Sequence, residues 1–346
     1  MFPEESIENN GIGPFLEIGT KGRQTSLVYP TRKFDEFLEL NISGLDIQLY
    51  HAPGETNDQI FVWIPKYKAL FPGDNFYKAF PNLYTIRGTP YRDLNGWVKS
   101  IDMMRYLEPE ILIPSHSRPI KGKEEIFKNL TDYRDAIQYI HDQTVRLMNK
   151  GITPDLIASE IELPEHLALS PFLKEFYGTP QWSSKNVFTG YLGWFDGNPA
   201  TLNPITKIEE SKRIIDLAGG RSALFNQGEI SLDREEYQWV LQITDYLLVN
   251  DPKDEEAKQL RISALKSLSE LSANPNERYY YLSSAEELSP TFKEPLLLKP
   301  TKAIIENLPI EIVFEILKVS LIPEKAIDKN LHLSIKFTDS LKFYSL

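Results

Sequence analysis

A chain of 346 residues, 41% of them hydrophobic and 12% aromatic, is long enough to bury more than one core, and two or three domains are expected. A formal net charge of −11 without any block of Lys and Arg speaks against nucleic acid as a partner, because phosphate binding needs clustered cations. No apolar run approaches the ~20 residues that span a bilayer, and with no cysteine the chain has neither disulfides, thiolate metal ligands nor a cysteine nucleophile.

In chain order, the N-terminal MFPEESIENNGIGPF has neither a basic start nor an apolar stretch. No secretion signal is expected there, and a cytoplasmic location is favoured. Residues up to about 120 read as β-rich with short connections. Leu45, Ile47 and Leu49 alternate with polar residues, the period-2 pattern of a half-buried strand. Gln59 to Ile64 forms a second strand, stopped by Pro65, and Tyr67 to Phe71 a third, stopped by Pro72 and Gly73. The short connection between these two predicts an antiparallel hairpin. Ile111 to Ile113 is a short apolar strand that ends at Pro114.

From about residue 122 the period changes. Ile126, Leu130, Tyr133, Ile137, Ile140, Thr144 and Leu147 recur at helical spacing, with Gly151 as the stop. Thr153 and Pro154 have the chemistry of a helix start. Residues 177–204 are so rich in Pro and Gly that they read as a long loop. Helices are expected over Ile208 to Ala218, Leu232 to Val249 and Asp254 to Leu271, the last two as a helical hairpin. After Pro290 a helix over Ile304 to Leu317 and a strand over Leu331 to Phe337 are expected, with a second strand forming at LKFYSL.

Three segments carry side chains suited to chemistry. They are His51-Ala-Pro-Gly-Glu55-Thr-Asn-Asp58, Phe71-Pro-Gly-Asp74-Asn75, and Ile113-Pro-Ser-His116-Ser-Arg-Pro119. Each puts a Glu, Asp or His within a few residues of a predicted strand end, where rigid strands can aim loop side chains at one place. Carboxylate and imidazole together suit zinc. Turn and capping roles for Glu55 and Asp74, and a hydrogen-bonded loop role for His116, are the alternative on chemistry alone. Among the five histidines, His51 alternates with core-facing strand residues and reads as a satisfied buried histidine. His141 sits inside the long helix and reads as structural, while His166 and His332 have no telling context.

These segments resemble those of the metallo-β-lactamase superfamily. PGETNDQI is similar to its PGHT-type segment with Glu55 in place of histidine, FPGDNFY to its bridging-carboxylate strand end, and PSHSRP to the segment of its last histidine ligand. Glutamate at that position marks the alkyl sulfatase branch. NLYTIRG from Asn82, followed by Arg92, Asp93 and Trp97, and GYLGWFDGN from Gly190 also resemble that branch, over about residues 10–345.

The resemblance implies a multidomain α+β chain. Its parts would be the C-terminal part of a metallo-β-lactamase αββα sandwich (1–121), an all-α dimerisation domain (122–290) and the start of a sterol-carrier-like domain (291–346). It implies two zinc ions, with Glu55, Asp74 and His116 as ligands, Asn82 and Arg87 on the sulfate, and Asp58 as a carboxylate beside the ligands. It also implies hydrolysis of alkyl sulfates or related small amphiphiles by a homodimer. The superfamily's HxHxDH motif is absent from this sequence. Three ligands divided between two ions leave each under-coordinated, so weak zinc retention and little or no hydrolysis by this chain alone are expected. Histidines that relatives often place between the bridging carboxylate and Asn82 are replaced by Tyr77, Lys78 and Pro81, so no general acid is assigned. The other readings are a non-catalytic dimerisation or lipid-handling module, and a lactonase- or thioesterase-type hydrolase of the same fold; Glu55 counts against the latter.

Overall fold

The computed structural model describes residues 30–290, 292, 308–327, 329, 332, 334–336 and 343–345. The chain divides into two compact units, with most described residues from 34 to 292 in the first and those from 308 onward, with 30–33, in the second.

In the first unit, β1 (Phe37–Ile42), β2 (Leu45–His51), β3 (Ile60–Ile64), β4 (Ala69–Phe71), β5 (Ile111–Leu112) and β6 (Ile120–Lys121) form one six-stranded sheet in sequence order. All neighbours are antiparallel except β4 and β5. That parallel pair needs a crossover, which is α1 (Leu94–Tyr106). Along β3 the burial alternates, with Phe61 and Trp63 inward, as period 2 requires. The predicted hairpin is present, with Trp63 opposite Leu70. Its second strand begins at Ala69 rather than Tyr67, because Pro65–Tyr67 turns as a 3₁₀ segment that Lys68 ends at φ 43°.

The helix α2 (Lys123–Met148) runs as the periodicity demands, burying Ile126, Leu130, Tyr133, Ile137 and Ile140. These side chains join one apolar cluster with Phe61, Trp63 and Leu70 of the sheet and with Trp97, Ile101 and Met104 of α1. The α3 (Pro154–Glu160) and α4 (Glu165–Ala168) helices follow, and Ile161, Leu167 and Leu173 enter the same cluster.

The expected loop over 177–204 is instead largely helical, with α5 (Pro180–Leu192) and a short α6 (Pro199–Leu202). Its breakers sit where a helix tolerates them. Thr179 accepts a hydrogen bond from the Trp182 N–H as N-cap, Pro180 occupies the first turn, and Gly193 ends the helix at φ 78°. Gly190 lies within α5 because a Cβ there would stand 2.2 Å from the Tyr91 ring.

The reading of residues up to 120 as β-rich is likewise corrected by α1, whose N-cap Asp93 accepts from the Asn95 N–H. Further on come α7 (Lys207–Leu217), α8 (Arg221–Asp233), α9 (Tyr237–Asn250), α10 (Glu255–Leu271) and α11 (Pro275–Glu287). The pattern assigned to one helix from Leu232 is split. Leu232 belongs to α8, and Glu235 at φ 61° breaks the chain before α9. Val240, Leu241 and Leu260 with Ala264 and Leu265 make a separate apolar cluster in this helical part.

In the second unit a helix spans Ile310–Val319 and a two-stranded antiparallel hairpin pairs Ser334–Lys336 with Phe343–Ser345. The expected helix start at 304–307, and Leu331, Leu333 and Phe337 of the expected strand, lie outside the described residues.

Candidate functional site

Glu55 sits on the turn between β2 and β3, and the side chain of Asn75 shapes that turn. Asn75 is fully buried; its Nδ2 donates to the Ala52 carbonyl at 2.7 Å and its Oδ1 accepts from the Glu55 N–H at 3.1 Å. The Trp97 indole N–H in turn donates to the Asn75 carbonyl at 3.0 Å, and the Ser100 hydroxyl to that of Pro53 at 2.7 Å. Gly54 is required here, since a Cβ would stand 2.1 Å from the Asn75 Oδ1. The turn is therefore bolted to the end of β4 and to α1.

Asp74 lies in the 3₁₀ turn Gly73–Asn75 just beyond β4. His116 follows β5, and its Nε2 stands 3.4 Å from Asp74 Oδ1, both side chains being partly exposed. The two segments are also stitched together by the Lys78 N–H donating to the Ser117 hydroxyl at 2.8 Å. Glu55 lies within electrostatic range of this pair. Burial raises its carboxyl above the usual glutamate range, Arg92 opposes that rise, Asp74 adds to it, and His116 lowers it slightly. Glu55, Asp74 and His116 thus share one electrostatic neighbourhood.

The cation that faces Glu55 is Arg92, at 3.1 Å from Nη1 to Oε1 with both side chains largely buried. The same Nη1 donates to the Asn82 carbonyl. Sequence reasoning quoted Arg92 but gave it no role. A buried carboxylate needs a cation, and the fold turns Arg92 inward to supply it. Asn82 is 2% exposed; its N–H donates to the hydroxyl of Tyr77 at 2.7 Å, and its side-chain Oδ1 is buried without a partner. Tyr77 is fully buried, which pushes its phenol well above the usual tyrosine range. Arg87 lies exposed in the Thr85–Gly88 turn and makes no ion pair among the described residues.

Beside this loop is an open cleft of about 290 Å³ lined by Tyr84, Ile86, Trp182 and Asn186 among others. It continues into a second of about 320 Å³ that adds Tyr280 and Tyr281. The loop is fastened to α5 by Asn186, which donates to the Leu83 carbonyl at 3.1 Å.

Other candidates fall outside the convergence. Asp58 is exposed. The His51 Nε2 lies 2.7 Å from the Asn57 carbonyl oxygen, so its polar group is satisfied, though the residue is half-buried rather than buried. His141 is held by Asp142 on Nδ1 and by Asn95 and Tyr191 on Nε2, tying α2 to α1 and α5.

The donor chemistry can be tested for a metal. Two ligands on one tetrahedral zinc stand roughly 3.3–3.5 Å apart, and the Asp74 to His116 separation of 3.4 Å matches such an edge. Glu55 is already engaged by Arg92. Among the described residues, no group of three or more His, Cys, Asp or Glu side chains is arranged to hold an ion. The pair fits one edge of a metal site, and the complete shell is not supplied.

Two family models match in the order of this architecture: the metallo-beta-lactamase superfamily over residues 11–116 and alkyl sulfatase dimerisation over residues 153–290. A linear primary-alkylsulfatase from a Pseudomonas species is 34% identical over 342 residues, covering 96% of this chain and 64% of that protein. Along nearly its whole length the chain is similar to an alkyl sulfatase. An alkyl/aryl-sulfatase of Saccharomyces cerevisiae is 32% identical over 283 residues, covering 80% of this chain and 43% of the yeast protein. The solved structure of a stereoselective inverting sec-alkylsulfatase from Pseudomonas matches with a TM-score of 0.85 and 28% identity, over 92% of this chain and 51% of that one. The fold is therefore that of the matching part of an alkyl sulfatase. This chain spans between half and about two-thirds of the length of the primary-alkylsulfatases it resembles, 50% of one and 64% of another. Among the described residues, no helix is long and apolar enough to cross a membrane.

Proposed function

We propose that this chain serves in the zinc-dependent hydrolysis of alkyl sulfate esters to an alcohol and inorganic sulfate. The observation that supports the reading is the Asp74–His116 pair, 3.4 Å apart, with the Glu55 carboxyl near enough for both charges to act on it. Zinc bound there would supply Lewis acidity and a water of lowered pKa. Asp74 and His116 would hold one ion, and Glu55 would reach a second by sharing its carboxylate with Arg92. Asn82 and Arg87 would face the sulfate, Arg87 with a planar fork suited to an oxyanion. The alkyl chain would lie in the aromatic cleft beside Tyr84 and Ile86, whose apolar lining favours a hydrocarbon over water.

The reading includes the three-part division at residues 122 and 291. The dimerisation match and exposed apolar side chains such as Trp194 (72% exposed) and Leu192 (59% exposed) support a homodimer. A sterol-carrier-like character for the last part and a cytoplasmic location belong to the same proposal. The test is release of inorganic sulfate from dodecyl sulfate, with added zinc, by the protein as the cell makes it. A rate that Glu55→Gln and His116→Ala each cut at least a hundredfold supports the reading. A rate unchanged by both variants refutes it.

A further inference from the structure

We propose that Arg92 is a positioning residue that locks the Glu55 turn to the loop from Asn82 to Gly88. For its functional meaning this rests on the reading above. One side of the lock carries the carboxylate proposed for the metal, and the other carries the residues proposed for the sulfate.

Arg92 Nη1 has two N–H groups; one meets the Glu55 carboxylate at 3.1 Å, and the other donates to the Asn82 carbonyl. Two segments 27 residues apart in sequence, at positions 55 and 82, therefore share a single nitrogen. Among the described residues, no other hydrogen bond joins residues 52–56 to 82–88. The loop's entry is gripped from both ends of one residue, since the Asn82 N–H donates to the buried Tyr77 hydroxyl while its carbonyl accepts from Arg92.

The cost of the arrangement argues for a positional use. Arg92 is 6% exposed, and its Nε is buried with no hydrogen-bond partner. An unpaired buried N–H is destabilising, and a well-packed apolar side chain of similar volume often stabilises a protein as well as a buried ion pair does. Overall stability alone therefore does not account for a guanidinium here. What an apolar residue cannot do is fix the separation of a carboxylate and a carbonyl. A planar fork with directed N–H groups does so.

The test is amide hydrogen exchange, resolved by segment, on the full chain and on Arg92→Met and Arg92→Lys. In Arg92→Met, exchange at 54–57 and 82–88 is expected to rise at least tenfold while α9 and α10 keep their protection. Arg92→Lys, with N–H donors on a shorter stem and no fork, is expected to give a smaller rise at the same two segments. It also carries the test if Arg92→Met does not fold. Unchanged exchange at 82–88 in the variant that folds, or an equal rise throughout residues 34–290, overturns the proposal. Exchange is read without turnover, so a chain that never releases sulfate but shows the coupled rise would defeat the proposed function and leave the positioning role standing.

Discussion

Removing the side chain of Asn75 tests how the Glu55 turn is built. Asn75→Ala deletes two hydrogen bonds inside the protein, one to the Ala52 carbonyl and one from the Glu55 N–H. Ala52 is fully buried, so its carbonyl has no water to replace the lost donor. Each group left unpaired costs about 1–3 kcal/mol, so the pair should cost about 2–6 kcal/mol. The Trp97 indole bond to the Asn75 main-chain carbonyl survives the change, which keeps α1 near the turn and confines the damage. Urea denaturation followed by tryptophan fluorescence and by circular dichroism reads the loss as a shift of the first transition, without assuming that the whole chain unfolds in one step. Asn75→Asp is no rescue. It retains an acceptor for the Glu55 N–H, cannot donate to Ala52, and adds a carboxylate beside Glu55 and Asp74. A loss below about 0.5 kcal/mol in Asn75→Ala, within the range of an ordinary surface substitution, would refute the reasoning that this side chain holds the turn.

Gly178→Ala should cost about 1–3 kcal/mol in the same denaturation experiment, because the new Cβ would stand 2.1 Å from the Pro81 carbonyl oxygen and the backbone must give way. Asp254 caps α10 and takes Arg221 through two bonds of 2.8 and 2.6 Å, and the arginine's hydrogen bonds hold its carboxyl below the usual aspartate range. Its folded pKa is depressed, so its stabilisation is complete above the unfolded value of about 3.9 and is lost as pH falls through the lower folded value. Asp254→Asn should therefore destabilise by about 1–2 kcal/mol at pH 7, and the gap from the parent should close below about pH 4 in acid-titrated melts. Light scattering of the purified chain should give twice the chain mass, and Trp194→Asp should shift it toward the monomer.

Much of the first sheet was legible because period 2 and proline stops are local signals. Leu45, Ile47 and Leu49 paired as expected, and Pro65 did end β3. The long α2 was legible because its apolar face faces one continuous core. What failed was the reading of Gly and Pro as breakers in α5. Pro180 is harmless in a first turn, and Gly190 is there for the Tyr91 ring. Local composition does not distinguish a glycine that breaks a helix from one that lets a distant aromatic ring approach it. At the site, Glu55, Asp74 and His116 come from a family resemblance, and the fold brings Asp74 and His116 within 3.4 Å of each other. Asn75 and Arg92 were quoted in the same motifs without a role. Their importance lies in contacts to residues 20 to 37 positions away, such as Glu55, Trp97 and Ala52, which no spacing rule in one sequence reports.

Crystals of this chain soaked in millimolar zinc, with the ion located by its anomalous scattering, address the metal rim most directly. The account predicts a peak within bonding distance of both His116 Nε2 and an Asp74 carboxylate oxygen, lost in His116→Ala. Zinc found only elsewhere on the surface, with Asp74 and His116 still paired to each other, would contradict it.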